Sequence, residues 1–316
     1  MRRIVIFILL LVLLDQGLGF LLGWIQHRSF TGDRGGLLNY ALLQEPQILI
    51  LGSSRAQLHI LPSVLTEKLG LTAYNAGLKG QDFLYGVMFY DLWKRRHPPP
   101  KLIVMTIDLE SLIPRETEVN AAHLLAPYMN ESALVREVLY SDGPFKRFVY
   151  AVQTYRFNGN VLSLANHAFR RPPVGYDGFI VSPGALNPAT DTGVLNALDQ
   201  DRTALEMAQV PFSPQKLKYL RDLAKDASRN GIRLYLLHTP IFRQDEAAHK
   251  VWVDKLWTTL GDLPGVRFVD LCVTTYPSIF ARPQLYRNLN HLNREGAEIM
   301  TGLLAAEIKR DLSDSR

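Results

Sequence analysis

Two residues more than two hundred positions apart have the types that acyl transfer needs: Ser54, in Gly52-Ser53-Ser54-Arg55, and His291, in Asn288-Leu289-Asn290-His291-Leu292-Asn293. Each stands where a loop meets a regular element. A serine hydroxyl attacks a carbonyl when a base takes its proton, and a histidine does this best when a third group fixes its ring. That group is normally a carboxylate, and three residues before His291 the chain has Asn288 instead. An amide oxygen accepts the imidazole N–H but lends no charge to an imidazolium.

The elements around these residues must bring them together. Gln47 to Leu51 is a short apolar strand bounded by Pro46 and Gly52, so Ser54 falls just past its carboxyl end and just before a helix. Helical N-terminal amides there would favour negative charge on an attacked oxygen. Ser53 is expected to hydrogen-bond within the loop, and a plain helix N-cap is the competing role for both serines. Leu71 to Asn75 is the second strand, followed by Asn75-Ala76-Gly77-Leu78-Lys79-Gly80, where glycines let a backbone N–H approach a substrate; a plain turn is the alternative. His238, before Thr239-Pro240, is the second choice of base, and His59 reads as helix surface.

Leu102–Ile107, Ile232–Leu237 and Val266–Val269 complete five strands, alternating with helical patterns at Leu61–Leu69, Phe83–Trp93, 214–229 and Arg294–Leu312. The order predicts an α/β fold, a three-layer α/β/α sandwich on a mostly parallel five-stranded sheet. Residues 115–212 interrupt the rhythm with helical pieces (Ser132–Val152, Val161–Phe169) and the loop signals of Arg171-Pro172-Pro173-Val174-Gly175-Tyr176. An insertion there is a natural lid or acceptor-recognition element, with Arg170, Arg171 and Tyr176 as residues that could meet an anionic or sugar acceptor. The expected organisation is an anchor at 1–28, a lead-in at 29–45 and one domain at 46–316.

Arg2-Arg3 precedes an apolar run from Ile4 to Trp24, long enough for a membrane-spanning helix. By the positive-inside rule the rest of the chain would lie outside the cytoplasm. Asp15, near the middle of the run, is costly at that depth and is expected to face a partner helix or to be neutral. Cleavage as a signal peptide and burial as a soluble helix are the other readings. The net charge of +5 falls to +3 without Arg2, Arg3, Arg28 and Asp15 (together +2). Lys94-Arg95-Arg96-His97 lacks aromatic platforms and reads as a solvated helix end, so no nucleic-acid partner is expected. Cys272, the single cysteine, permits no intrachain disulfide or CxxC zinc site and is expected to be a small buried residue. No cofactor or metal is expected.

The blocks Gly52-Ser53-Ser54-Arg55, Asn75-x-Gly77-x-x-Gly80 and Asn290-His291-Leu292-Asn293-x-x-Gly296 resemble those of the SGNH (GDSL-like) hydrolase superfamily. They look most like its membrane-anchored cell-envelope branch, which includes the D-alanyl-lipoteichoic acid protein DltD and accessory proteins of alginate and cellulose acetylation. The resemblance implies Ser54 as nucleophile, His291 as base, and an oxyanion hole from the amides of Ser54 and Gly80, with Asn75 beside them. It further implies an esterase or O-acyltransferase acting on an envelope polysaccharide or polyol polymer. Its alternative is a catalytically weak or inactive binding partner of an integral-membrane acyltransferase. The chain departs from the pattern at Asn288 and again at Asp108, where the soluble branch has an asparagine donor. Asp108 is expected to turn away, cap a helix or substitute as the acid. Asp270, ending the fifth strand, is a second substitute carboxylate.

Overall fold

The computed structural model describes residues 1–33, 35–114, 123–141, 143–189, 206–242, 246–261, 263 and 265–314. In chain order the helices and strands are α1 (Arg2–Gln26), α2 (Gly36–Ala41), β1 (Ile48–Leu51), α3 (Ser54–His59), α4 (Pro62–Leu69), β2 (Ala73–Asn75), α5 (Phe83–Trp93), β3 (Leu102–Thr106) and α6 (Leu109–Leu112). Then come α7 (Ala133–Ser141), α8 (Lys146–Ala151), α9 (Val161–His167), α10 (Pro214–Arg229), β4 (Arg233–His238), α11 (Glu246–Leu260), β5 (Val266–Asp270), α12 (Pro277–Phe280), β6 (Tyr286–Asn288), β7 (His291–Leu292) and α13 (Arg294–Asp314). Two compact units result: residues 1–44, 88–96 and 116–176 in one, and 45–87, 97–115 and 177–316 in the other.

The second unit is built on a five-stranded sheet of order β2-β1-β3-β4-β5, with every neighbouring pair parallel. Strands β1 (Ile-Leu-Ile-Leu) and β3 (Leu-Ile-Val-Met-Thr) are buried at every position, as apolar strands covered on both faces must be. Alternation sends Ile48, Ile50, Leu102, Val104, Tyr235 and Leu237 into a core shared with α3, α4 and α13. On the other face α5 comes so close that Gly86 lies against Leu51 and Met105, and α11 covers Leu236 and Phe268. The expected α/β class and parallel sheet are therefore present. Chain order reverses at β1, flanked by β2 on one side and β3 on the other, and such switch points open a crevice at the carboxyl strand ends.

Local signals place the helix ends. Ser213 caps α10 by accepting from the Lys216 amide at 3.4 Å, Pro214 fixes the first turn, and Leu217, Leu220, Leu223, Ala224 and Ala227 form its buried stripe. The sequence reading missed α11, and it missed the antiparallel hairpin β6–β7, whose strands are only three and two residues long. The helical stretch read at Ser132–Val152 is two helices, α7 and α8, separated at Gly143.

The first unit buries Leu38, Phe89, Trp93, Leu125, Tyr128 and Val138. Its helix α1 is long and apolar enough to cross a membrane. The basic cluster at α5 is ion-paired, with Lys94 and Arg95 on Asp91 (3.4 and 3.0 Å) and Arg96 on Glu131. Arg171 lies over the Phe30 ring at 5.2 Å and Tyr176 against Tyr40 at 6.0 Å, so both have partners within this unit. Of the 115–212 insertion, 115–122 and 190–205 lie outside the described residues.

Candidate functional site

Ser54 opens α3 at the carboxyl end of β1, and Ser53 is the N-cap, its hydroxyl accepting from the Arg55 amide at 3.2 Å. As the first helical residue, Ser54 has an amide with no intrahelical acceptor. The Ser54 hydroxyl is 2.8 Å from His291 Nε2. Both residues are partly exposed, so a substrate can reach them.

Asn288 sets the state of the imidazole. Its Oδ1 accepts the amides of Asn290 and His291, each at 3.0 Å, which identifies that atom as the oxygen. The same oxygen is 3.1 Å from His291 Nδ1, so Nδ1 carries the ring proton and donates it. Nε2 then holds a lone pair directed at the Ser54 hydroxyl, the tautomer a general base requires. Burial first, then the cations Arg55, Lys79 and Arg287, push the His291 pKa down to about 4, while Asp108 opposes them. At neutral pH the ring is therefore an uncharged base of low proton affinity.

His59 ties the two halves together. It was read as helix surface from the sequence, but it is fully buried, and its Nε2 accepts the Leu292 amide at 3.1 Å. A residue of the Ser54 helix thus holds the backbone next to His291, with the two rings edge-on and centroids 6.0 Å apart. Desolvation and the neighbouring His291 keep His59 well below its ordinary pKa and hence neutral. Burial was the missing signal, because Gln57, Leu58 and His59 of this short helix are all interior. The Leu61 amide adds a bond to Thr301 Oγ1 of α13 at 3.1 Å.

The loop after β2 lies against α3. Ala76 and Leu78 amides donate to Ile50 and Gly52 carbonyls (2.8 and 3.1 Å), and the Lys79 amide to Gln57 Oε1 (3.0 Å). Gly77 is required by packing: a Cβ there would stand 2.5 Å from Ala56 Cβ and 2.9 Å from the Gln57 amide. Gly80 is exposed in a left-handed turn (φ 76°) on this loop. Asn75 is not a substrate donor. Its side-chain N–H groups go to the Ala56 and Ile60 carbonyls (2.6 and 2.9 Å) and its oxygen takes the Gly77 amide (3.0 Å), so it braces α3 from below.

His291 takes its second ring partner from Asn288, and neither substitute carboxylate occupies that place. Asp108, N-cap of α6, pairs with Arg55 at 2.8 Å and accepts the Ser53 hydroxyl at 3.2 Å, joining the ends of β1 and β3. Asp270 belongs to another group: it pairs with His249 Nε2 at 2.8 Å and accepts from the Thr275 hydroxyl at 2.8 Å. Desolvation opposes the charge on His249, but hydrogen bonds and charge from Asp270 and Cys272 raise it to about 9, while Asp270, desolvated but paired, stays well below the usual carboxylate range. His238, the second choice of base, stacks on His249 at 5.1 Å, is buried, and is pushed down to about 4 by desolvation. Ring nitrogens of these two histidines and an Asp270 oxygen lie within 4.8 Å of one another, so among the described residues they are the donors close enough to share an ion. Cys272 is buried, as expected, with Sγ 3.2 Å from His249 Nε2.

The described end of the insertion borders the site. The Asn75 amide donates to the Asp177 carbonyl (2.9 Å), Ile180 to Gln57 (3.2 Å) and Leu186 to Tyr286 (2.6 Å). Residues 177–186 therefore run from the base of α3 to the hairpin that bears Asn288 and His291. Comparison with protein-family models and with curated proteins finds no match to the chain.

Proposed function

We propose that the chain is a serine-dependent esterase or O-acyltransferase of SGNH type, anchored by α1 and acting outside the cytoplasm on an envelope polysaccharide or polyol polymer. The observation that carries this reading is the Ser54 hydroxyl at 2.8 Å from an Nε2 whose tautomer Asn288 has fixed. As Ser54 Oγ bonds to the acyl carbon, its proton passes to His291 Nε2, and the Ser54 and Gly80 amides receive the oxyanion. Collapse expels the leaving alcohol with that proton. The acyl-serine is then attacked by water or a polymer hydroxyl, whose proton follows the same route through His291. The segment 177–186 beside α3 supports transfer, since an acceptor-binding border can exclude water.

A second reading, a weak or inactive binding partner of an integral-membrane acyltransferase, draws on one observation. The imidazolium formed on proton transfer has the cations Arg55, Lys79 and Arg287 near it, opposed by Asp108 alone, and its Nδ1 partner is an uncharged amide. Labelling with a serine-directed fluorophosphonate separates the two. Label on wild type that is lost in Ser54→Ala and His291→Ala supports the enzyme, and no Ser54-dependent label in either wild type or Asn288→Asp leaves the binding partner.

A further inference from the structure

The anchor helix α1 carries exposed apolar side chains over its whole length, from Ile4 to Phe20 and Trp24. One stripe differs: Asp15, Gly19, Gly23 and Gln26 follow one another at helical spacing and meet protein. Asp15 accepts the Gln153 and Thr154 amides (2.8 and 3.0 Å) and the Thr154 hydroxyl (2.6 Å). Gly19 leaves no room for a Cβ beside Gln153, and Gly23 faces Phe157. The ionisable residue within the apolar run is thus satisfied by a segment of its own chain, the partner that an intramembrane carboxylate requires.

Depth follows from the helix rise. Trp24 stands nine residues beyond Asp15, about 14 Å along the axis at about 1.5 Å per residue. With Trp24 at the interface, Asp15 and its partners lie about half-way through a hydrocarbon layer of about 30 Å. The docked segment carries the surface such a position demands. Phe148 is 74% and Leu162 81% exposed, with Phe145, Phe169 and Val174 also outward. Residues 145–174 hold no acidic residue, and beside the buried Arg156 they carry cations near both ends, Lys146, Arg147, Arg170 and Arg171, the composition of an element whose ends reach anionic headgroups. A groove of about 500 Å³ along α1, lined by Phe20, Trp24, Phe157, Arg28 and Arg156 among others, combines apolar wall with cations, as one anionic lipid needs.

Resting on the anchor reading, we propose that residues 145–174 form a second membrane-seated element, docked along α1 and embedded with it in a leaflet containing anionic phospholipid. The test uses the full chain in a Cys272→Ser background, with a polarity-sensitive fluorophore at Phe148→Cys, Leu162→Cys, Leu10→Cys or Glu298→Cys. Each is reconstituted into phosphatidylcholine/phosphatidylglycerol vesicles with and without nitroxide-labelled lipid. Expected is loss of fluorescence at 148 and 162 comparable to that at 10, with none at 298, and a smaller loss at 148 in K146E/R147E or in phosphatidylcholine alone. Labels at 148 and 162 that behave like 298 while 10 is quenched overturn the proposal alone. An unquenched label at 10 overturns the anchor reading beneath it. Equal loss at 148 with and without phosphatidylglycerol overturns the anionic requirement, and energy transfer between labels that rises with protein density shows a second copy on the patch and overturns the lipid assignment. Fluorophosphonate labelling of Ser54 is independent of all these outcomes.

Discussion

Restoring a carboxylate at Asn288 should convert a low-affinity base into a stronger one without rebuilding the site. Asn288 Oδ1 already receives three N–H groups, at 3.0, 3.0 and 3.1 Å, and a carboxylate oxygen would be held by the same three. The imidazolium charge spreads over both ring nitrogens, so its separation from that oxygen is about 4 Å, worth about 4 kcal/mol at an effective dielectric of about 20. Partial exposure of both groups halves this to about 2 kcal/mol. That corresponds to roughly thirty-fold faster phosphonylation of Ser54 by a fluorophosphonate, with fluoride leaving, in Asn288→Asp. The pH profile supplies a second readout, because His291 must be unprotonated to act. In wild type, labelling should rise as pH increases through about 4 and then level. In Asn288→Asp the limb should move up by about 1.5 pH units and the plateau should be higher. A plateau no higher than wild type, with an unmoved limb, refutes the assignment of Asn288 as the group that holds the ring.

Other perturbations test the supports. Asp108→Asn removes the partner of Arg55, whose side chain is only 15% exposed, and should cost about 2 kcal/mol, seen as a lower Tm; an unchanged Tm would show the pair to be dispensable. Gly77→Ala should displace α3 from the loop, costing about 2 kcal/mol through overpacking, seen as a lower Tm together with slower Ser54 labelling; an unchanged Tm would show that the close approach is not needed. Asn75→Ala takes the side-chain donor from the buried Ile60 and Ala56 carbonyls, the latter keeping only the Ile60 amide at 3.3 Å, and the acceptor from the Gly77 amide; it should cost about 3 kcal/mol by thermal unfolding, with a loss below about 1 kcal/mol arguing against the bracing role. Alkaline extraction of membranes should leave the chain in the pellet, whereas a soluble mature form beginning near Phe20 would mean that α1 is cleaved.

Strands β1, β3 and β4 were legible because they are short, mainly apolar runs set off by Pro or Gly and covered on both faces, while the edge strands β2 (Ala-Tyr-Asn) and β5 (Val-Arg-Phe-Val-Asp) were marked by the Gly before each and by their place in the alternation with helices. The approach of Ser54 to His291 followed from their shared position at loop-to-helix junctions. The hairpin that aims His291 was not legible, since three- and two-residue strands leave no alternating pattern. Nor was the burial of His59, which depends on α13 closing over α3 across 240 residues of sequence. Asn75 kept its place in the motif, but its role changed once Ala56 and Ile60 carbonyls claimed its amide. Asp108 and Asp270 both stand at strand ends, as their sequence positions indicate, yet Arg55 and His249 engage them before His291 can.

Ser54 and His291 are separated by 237 residues, and α3, which carries Ser54, is braced by Thr301 of α13. A nascent chain therefore presents the apolar helix α1 and Ser54 long before His291 exists. At about 10 residues per second, roughly twenty-five seconds of translation separate the two. Throughout that interval the serine is chemically silent. On the proposed reading, reactivity toward acyl groups is thus deferred until the hairpin that bears His291 has been made, long after α1.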